Sequence, residues 1–577
     1  MRTKVGAAVS KGHSKDRLVD ALASHAAQRS AIYARGTTTP DAAVRAAAMR
    51  RAGPLVRLVP DALSGARRGK FLYFLHHEGD LGTFFKPARI GLRYALDEDG
   101  DLDGAAGELA LMAFPGGREA LLAYEEARKS RLVLEALTGR GVTDRGRSAG
   151  ATPEEAEAQA AADALDTEEA LAAAREAIRA FRACPGADVP PRQPTQWAGA
   201  EEAQPLFLAR FQVGWQRARA AWLAVSLLEK AREYDDAVSA LRALLRCGWC
   251  LHKRGDMWDR LCIDLGTHLR RKGDELAAAL AAIDDPWVRG GGHAAALRRA
   301  KKLSQSSAQA DARLTASLGL LLAGCEPRVT TVYARQRPQT EENPMARARF
   351  FSATSGDVIS VEAVVLEHYE ADGWRGVHDE GSTLRTLFGL LLWDALFDTS
   401  VRYAFASRFQ AAPLDLAAES FAPARKERID AVLREVRRGR APELVRGAFS
   451  AHREKLCVGV RWELWGVDEL AEIAACLGGD ALADLLQLLA DDYGAWSAGL
   501  PDLLLWRAPE KGARQARLCE VKSPNDSLSA QQRAWCAALR SAGCDVEMAQ
   551  VLPPPKRPAA GGFSAWKPNN RRSNKRR

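Results

Sequence analysis

Apolar and polar positions along this chain repeat with two different periods, and the change of period marks a change of fold. From Pro205 the pattern is helical. A helix over 214–232 places Trp222, Val225 and Leu228 on one side, the turn Tyr234-Asp235-Asp236 follows, and a second helix carries Val238, Leu241 and Leu245. Such antiparallel pairs bury their faces only against stacked neighbours, so a packed array of tetratricopeptide (TPR) type is predicted over 201–345. SGDVISVEAVVLEHY, within 350–372, predicts a further helix leading into GWRGVHDEGST. Leu384, Leu387, Phe388, Leu391 and Leu392 then share a face, so a helix is predicted to start near residue 382 with the hydroxyl of Ser382 or Thr383 at its cap. Towards the C-terminus the period shortens. An apolar strand opened by Pro501-Asp502, a turn rich in Pro, Gly and Lys, a strand over 516–523, a helix over 528–542 and a closing strand over 545–552 are predicted.

The N-terminal part is less regular. Residues 9–30 form one amphipathic helix with Leu18, Val19 and Leu22 on a face. Residues 51–145 mix helical runs with the acidic loop DEDGDLDG. There KFLYFLHHEGDLGTFFKPARI interleaves aromatics with Lys70, His76, His77, Lys86 and Arg89, a pattern open to reading as a strand-tracking surface or as core helix and loop. The Ala/Glu-rich stretch 146–200 reads as a linker with solvated helices. The predicted order is thus a mainly α region at 1–345, an α/β domain at 346–555 with its core motif at 440–552, and a basic tail at 556–577.

Composition narrows this only where it is localised. At 577 residues the chain holds two to four domains, with 47% apolar and 27% charged residues as in a globular protein. No run of about 18 apolar residues predicts a membrane-spanning helix, so a membrane partner is not expected. The ten cysteines lack a disulfide spacing and suit a reducing compartment. Of the net charge of +9, all but one unit lies in residues 553–577, which carry eight Lys and Arg and no acid. The remainder is nearly neutral, so any nucleic-acid surface on it must come from local clustering. The tail KPNNRRSNKRR reads as nuclear targeting or nonspecific DNA contact, or as a basic terminus with neither role.

The candidate chemistry lies on the two C-terminal strands. Glu520 and Lys522 project from one face while Val521 points into the core, and pairing of the strands brings Asp502 beside Glu520. Two carboxylates plus a backbone carbonyl are the oxygen donors that Mg²⁺ or Mn²⁺ prefers. A lysine beside them can orient a water and offset charge on a phosphate. Both acids lie at or within the apolar runs LLLW and LCEV, where an uncompensated charge costs several kcal/mol. Cys247-x-x-Cys250-x-His252 lacks a nearby fourth ligand and is not read as a zinc site.

GLPDLLLW followed by CEVKSPND-x-LS-x-x-Q resembles the virus-type replication-repair nuclease domain, a branch of the PD-(D/E)xK superfamily. Within that branch the chain resembles the Fanconi-associated nuclease family. PLFLARFQVGW at 205–215, MWDRL at 257–261, HDEGSTLRTLFGLLLWD at 378–394, FQAAPLDL at 409–416 and CLGGDALADLLQLLADDY at 476–493 carry the resemblance further. It implies a restriction-endonuclease-like α/β fold behind the helical array, and GHSKDRLVDAL at 12–22 then resembles half of a SAP motif, the small helical DNA-binding module. No cysteine precedes Cys184, so the family's zinc-type ubiquitin-binding module is not expected.

The resemblance makes Glu380 a third metal ligand beside Asp502, Glu520 and the Val521 carbonyl, with Lys522 assisting the attacking water. It also implies a basic pocket for a 5′ phosphate, matched by Arg260 and His293. The chain departs at Asp256, where the family has an arginine, unless Arg254 substitutes. Gln410, Asp415 and Asp526 are further candidates for supporting the site or contacting DNA, and the arginines of 418–450 form either a DNA-facing helix or a solvated one. The family has an arginine where this chain has Ser527. The implied activity is a metal-dependent endonuclease and 5′-to-3′ exonuclease on 5′ flaps in nuclear interstrand cross-link repair, with flapped or branched DNA and repair proteins as partners. A four-way-junction resolvase and a non-catalytic DNA-binding scaffold are the competing readings.

Overall fold

In this computed structural model, residues 60–75, 93–96, 105–139, 152–191, 206–306, 311–338, 348–524 and 526–554 are described. The chain divides into two units, residues 1–71 and 72–577, and the account below concerns the second. The SAP-like helix, most of the aromatic segment at 70–90 and the basic tail lie outside the described residues.

The first layer is helical: α1 (Gly117–Thr138), α2 (Pro153–Asp163), α3 (Thr167–Arg182), α4 (Val213–Lys230), α5 (Tyr234–Arg246), α6 (Arg254–Ile263), α7 (Lys272–Asp284), α8 (Gly290–Ser304) and α9 (Ala312–Leu322). From α3 onward successive helices pack pairwise, α2 packs on α1, and α4 is buried between α1, α3 and α5. The predicted pair at 214–246 is present, with Trp222, Val225, Leu228, Val238 and Leu241 in one shared core. The stretch expected as a linker with solvated helices carries two helices: α2 is largely exposed, and α3 packs into this layer. Thr152 and Asp166 each begin a helix with a capping box, and α3 buries Ala174, Ala177, Ile178 and Phe181.

The second layer is a five-stranded sheet: β1 (Arg328–Tyr333), β2 (Arg375–His378), β3 (Leu503–Arg507), β4 (Gln515–Lys522) and β5 (Asp545–Leu552), in the order β1-β5-β4-β3-β2. β1 runs parallel to β5 and β5 to β4, while β3 is antiparallel to both β4 and β2. The three C-terminal strands match expectation, but β1 and β2 do not. β1 lies inside the stretch assigned to the array, and β2 is the GWRGVH segment read as a lead-in. Both are short sheet edges with alternating or weakly apolar sequence, so their pairing partners, more than 120 residues away, decide their structure.

Helices cover both faces. α10 (Val361–Ala371) packs with Leu503, Leu505, Cys519, Val521 and Val551. On the other face Leu504, Trp506, Leu518 and Val546 meet a core built by α11 (Ser382–Leu391), α12 (Lys426–Glu435), α13 (Ala441–His452), α14 (Val467–Leu477), α15 (Gly479–Asp491) and α16 (Ala530–Ser541). Burial on both sides explains why LLLW is continuous rather than alternating. No single described helix is long and apolar enough to cross a membrane.

Helix α11 starts at Ser382 as expected, but neither Ser382 nor Thr383 supplies the cap. Asp379 does: its Oδ1 accepts the Thr383 N–H at 2.8 Å and the Thr383 hydroxyl at 2.5 Å. Gly381 stands at φ 79°, the left-handed conformation that glycine tolerates.

Candidate active site

β3 and β4 pair with Leu503 opposite Cys519, so extending the register by one step sets Asp502 opposite Glu520 at the open end of the sheet. Asp502 Oδ2 accepts the Val521 N–H at 2.8 Å. The Val521 carbonyl lies on the same edge of the strand, since N–H and C=O of one residue in a strand point the same way. Lys522 Nζ is 2.8 Å from Glu520 Oε1, and Gln532 Nε2 donates to that same oxygen at 2.5 Å. Gln532 also completes the capping box of α16, with its Oε1 accepting the Ser529 N–H at 2.9 Å. One side chain thus both starts the helix and fixes the acid. Gln532 ends the sequence motif that begins at Cys519, but its role follows only from the packing of α16 across the strand end.

Glu520 is 1% exposed, and its second oxygen, Oε2, is buried without a hydrogen-bond donor. Burial, then repulsion from Asp502, pushes the Glu520 carboxyl up to about 7, against the pull of Lys522. Burial also raises Asp502, partly offset by the Val521 N–H and Lys522. Two acids that resist ionisation side by side, one with an oxygen lacking any donor, are a donor set suited to a hard divalent cation.

Glu380 is only half assembled. The N–H groups of Asp379 and Glu380 donate to the Asp502 carbonyl at 2.8 and 3.2 Å, so its backbone is locked to the site. Its carboxylate, 71% exposed, lies 3.4 Å from His378 Nε2 instead of on Asp502. Among the described residues no three His, Cys, Asp or Glu side chains converge as a metal cluster, so the expected triple of carboxylates is present here as a pair. Glu380 is held at φ 46°, a strained setting for a non-glycine residue.

The candidate phosphate residues separate. Arg254 is buried, with Nε 2.7 Å from Asp285 Oδ2 and Nη1 on the Leu245 carbonyl at 2.9 Å, so it cannot stand in for the missing arginine at Asp256. Asp256 is itself 3.4 Å from Lys253. Arg260 pairs with Glu229 at 2.8 Å, and Arg299 bridges Asp259 and Glu275. His293 is half-buried, and burial lowers its pKa, which disfavours the imidazolium a phosphate would attract. Arg254, Arg260 and Arg299 are thus each engaged by acids of neighbouring helices, while Arg298 stays exposed. Gln410 is buried, accepting the Ala406 N–H at 2.5 Å and donating to the Ala412 carbonyl at 3.0 Å, a loop clasp rather than a DNA contact. Asp415 and Arg425 form a buried bidentate pair, whereas Arg428, Arg437, Arg438 and Arg440 pair with acids while remaining largely exposed, so the arginines of 418–450 other than Arg425 lie on a solvated face. Asp526 remains exposed just past β4.

Cys247 and Cys250 are buried thiols that donate to the Leu244 and Trp215 carbonyls. Beside them opens a cleft of about 1390 Å³ between the array and the α/β layer, lined by Trp215, Trp249, Lys253, Asp256, Arg289 and Gln531 among others.

The VRR-NUC domain family matches residues 436–553, and the Fanconi-associated nuclease 1 TPR domain family matches 191–304. The Fanconi-associated nuclease 1 homolog of Oryza sativa subsp. japonica is 38% identical over 359 residues, 62% of this chain and 36% of that protein. The Arabidopsis thaliana homolog is 39% identical over 347 residues, 60% of this chain and 38% of that protein. Homo sapiens Fanconi-associated nuclease 1 is 33% identical over 365 residues, 61% of this chain and 35% of that protein. The chain therefore spans under two fifths of the length of these relatives. The crystal structure of paFAN1 bound to 5′-flap DNA carrying a two-nucleotide flap and a gap has the same fold, with a TM-score of 0.55 at 20% identity, covering 94% of this chain and 81% of that one. A match to the TPR domain family and a match to the VRR-NUC domain family thus follow each other along this chain, and over these residues it is similar to the Fanconi-associated nucleases.

Proposed function

We propose that this protein is a metal-dependent, structure-selective DNA nuclease that cuts near 5′ flaps, with 5′-to-3′ exonuclease action, in nuclear interstrand cross-link repair. The observation that carries the chemistry is the pairing of Asp502 with Glu520 at the sheet end, with one Glu520 oxygen buried and undonated. Asp502, Glu520 and the Val521 carbonyl would hold Mg²⁺ or Mn²⁺, which supplies charge neutralisation at the scissile phosphate and a more acidic water. Glu380 completes the set by turning its exposed carboxylate inward from His378. Gln532 and Lys522 hold Glu520 Oε1, which leaves Oε2 as the oxygen presented to the cation. Lys522 also places a positive charge where the attacking water and the phosphate meet.

The flap preference rests on the crystal structure whose bound DNA carries a flap. A phosphate-specific end pocket is not part of this reading, since Arg254 and Arg260 are engaged internally. Nuclear location and repair-protein partners rest on the family and the basic tail. The test incubates purified protein with labelled 5′-flap, four-way junction and plain duplex, in Mn²⁺ or EDTA. Flap cutting that needs Mn²⁺ and is lost in Asp502→Asn supports the proposal. Junction cutting alone would favour a resolvase, metal-independent cutting would overturn the metal dependence, and absent cutting of all three would overturn the nuclease reading.

A further inference from the structure

Three consecutive residues at the start of α16 face three different places. Gln532 holds Glu520, and Arg533 pairs with Glu326 beyond the end of α9. Gln531 reaches into a socket that joins the array to the site. Its Oε1 accepts the Gly291 N–H at 2.8 Å, at the first turn of α8. Its Nε2 donates to the Ala495 carbonyl at 2.8 Å and the Ala498 carbonyl at 3.4 Å, in the loop that runs into Asp502.

The socket is shaped by missing side chains. A Cβ on Gly291 would stand 2.7 Å from Gln531 Oε1 and 2.9 Å from its Cα, and one on Gly499 would stand 2.5 Å from its Cγ. A Cβ on Gly290 would reach 3.1 Å from Oε1. Glycines from two segments some 200 residues apart thus make room for one amide. Both polar ends of that amide are used, so the fit constrains its position and not only its bulk.

We propose that Gln531 is a positioning residue that sets the register between DNA lying on the helical array and the carboxylates at the sheet end. This rests on the nuclease reading above. The physical reason is lever-like: α8 belongs to the array, the 495–499 loop ends at Asp502, and the residue after Gln531 orients Glu520. Loosening the socket shifts both acids against the array without removing either one.

The experiment compares wild type, Gln531→Ala, Gln531→Glu and Gly291→Ala in the full chain on a labelled 5′ flap with Mn²⁺, reading incision position, single-turnover rate and DNA Kd. Gln531→Ala and Gly291→Ala are expected to spread incision onto neighbouring phosphates and slow cutting at the original one about tenfold, with Kd within about twofold of wild type. Gln531→Glu keeps the length and the Gly291 acceptor but loses the donor, so it folds if the socket is only filled space, and it is expected to show an intermediate spread. Cutting at the single wild-type position at any rate in all three variants would overturn the proposal, since a merely structural residue lowers the amount of active enzyme without moving the cut. Absence of cutting by wild type itself would instead remove the nuclease reading.

Discussion

Glu520 has two donors on one oxygen and none on the other, and the proposed chemistry rests on that asymmetry. Replacing it by Gln keeps the shape but removes a cation ligand, so Mn²⁺-dependent cutting is expected to fall about 10³-fold or more, measured by single-turnover flap cleavage. The same change removes a buried carboxylate short of partners. In EDTA the variant is expected to be as stable as wild type or about 1 kcal/mol more stable, read by thermal unfolding. Gln532→Ala leaves every proposed ligand in place but loosens Glu520 and the cap of α16; a fall in rate of about 10- to 100-fold is expected, as for other residues that orient a metal ligand. An unchanged rate in Gln532→Ala would show that Lys522 alone suffices to fix the acid.

At the scale of elements, one of the arginines that the sequence displays over 418–450 is internal, while its neighbours pair with acids at the surface. Arg425 and Asp415 are 0% and 1% exposed. Removing one partner strands the other, so Arg425→Met is expected to cost about 3–5 kcal/mol of stability by denaturant unfolding while the folded fraction binds DNA with unchanged Kd. Asp264, in the turn between α6 and α7, is fully buried beside Glu229 and Arg260, and burial first, then Glu229, pushes it up from 3.8 to about 7. A raised acid binds its proton more tightly in the fold than in the unfolded chain. Its contribution is therefore complete below pH 3.8 and lost as pH rises through about 7. Thermal unfolding in EDTA should thus show stability declining across that window, and Asp264→Asn should flatten the decline. Glu520 acts with the same sign in the metal-free protein, so a Glu520→Gln background isolates the share of Asp264.

On the scale of the whole molecule, the site is a meeting of distant segments: β2 and the Glu380 turn, the β3–β4 end, α16, and through Gln531 the array. A cation that binds only when these are together stabilises the entire unit. Saturating Mn²⁺ is expected to raise Tm by a few °C, with full reversal by EDTA and no shift in Asp502→Asn. A shift that persists in Asp502→Asn would place the cation elsewhere.

Sequence by itself determined the paired helices at 214–246, the three C-terminal strands and the proximity of Asp502, Glu520 and Lys522. These follow from local periodicity and from strand register, which a short connection enforces. The edge strands β1 and β2 were decided by pairing with β5 and β3, and the cap of α11 by a carboxylate of the preceding turn. Only the tertiary structure separated spent cations from available ones, because an arginine's partner is set by which helix packs beside it. It also turned the Glu380 side chain towards His378 while fixing its backbone to Asp502, and gave Gln531 its socket. Backbone hydrogen bonds and packing across hundreds of residues control those placements, and no local pattern encodes them.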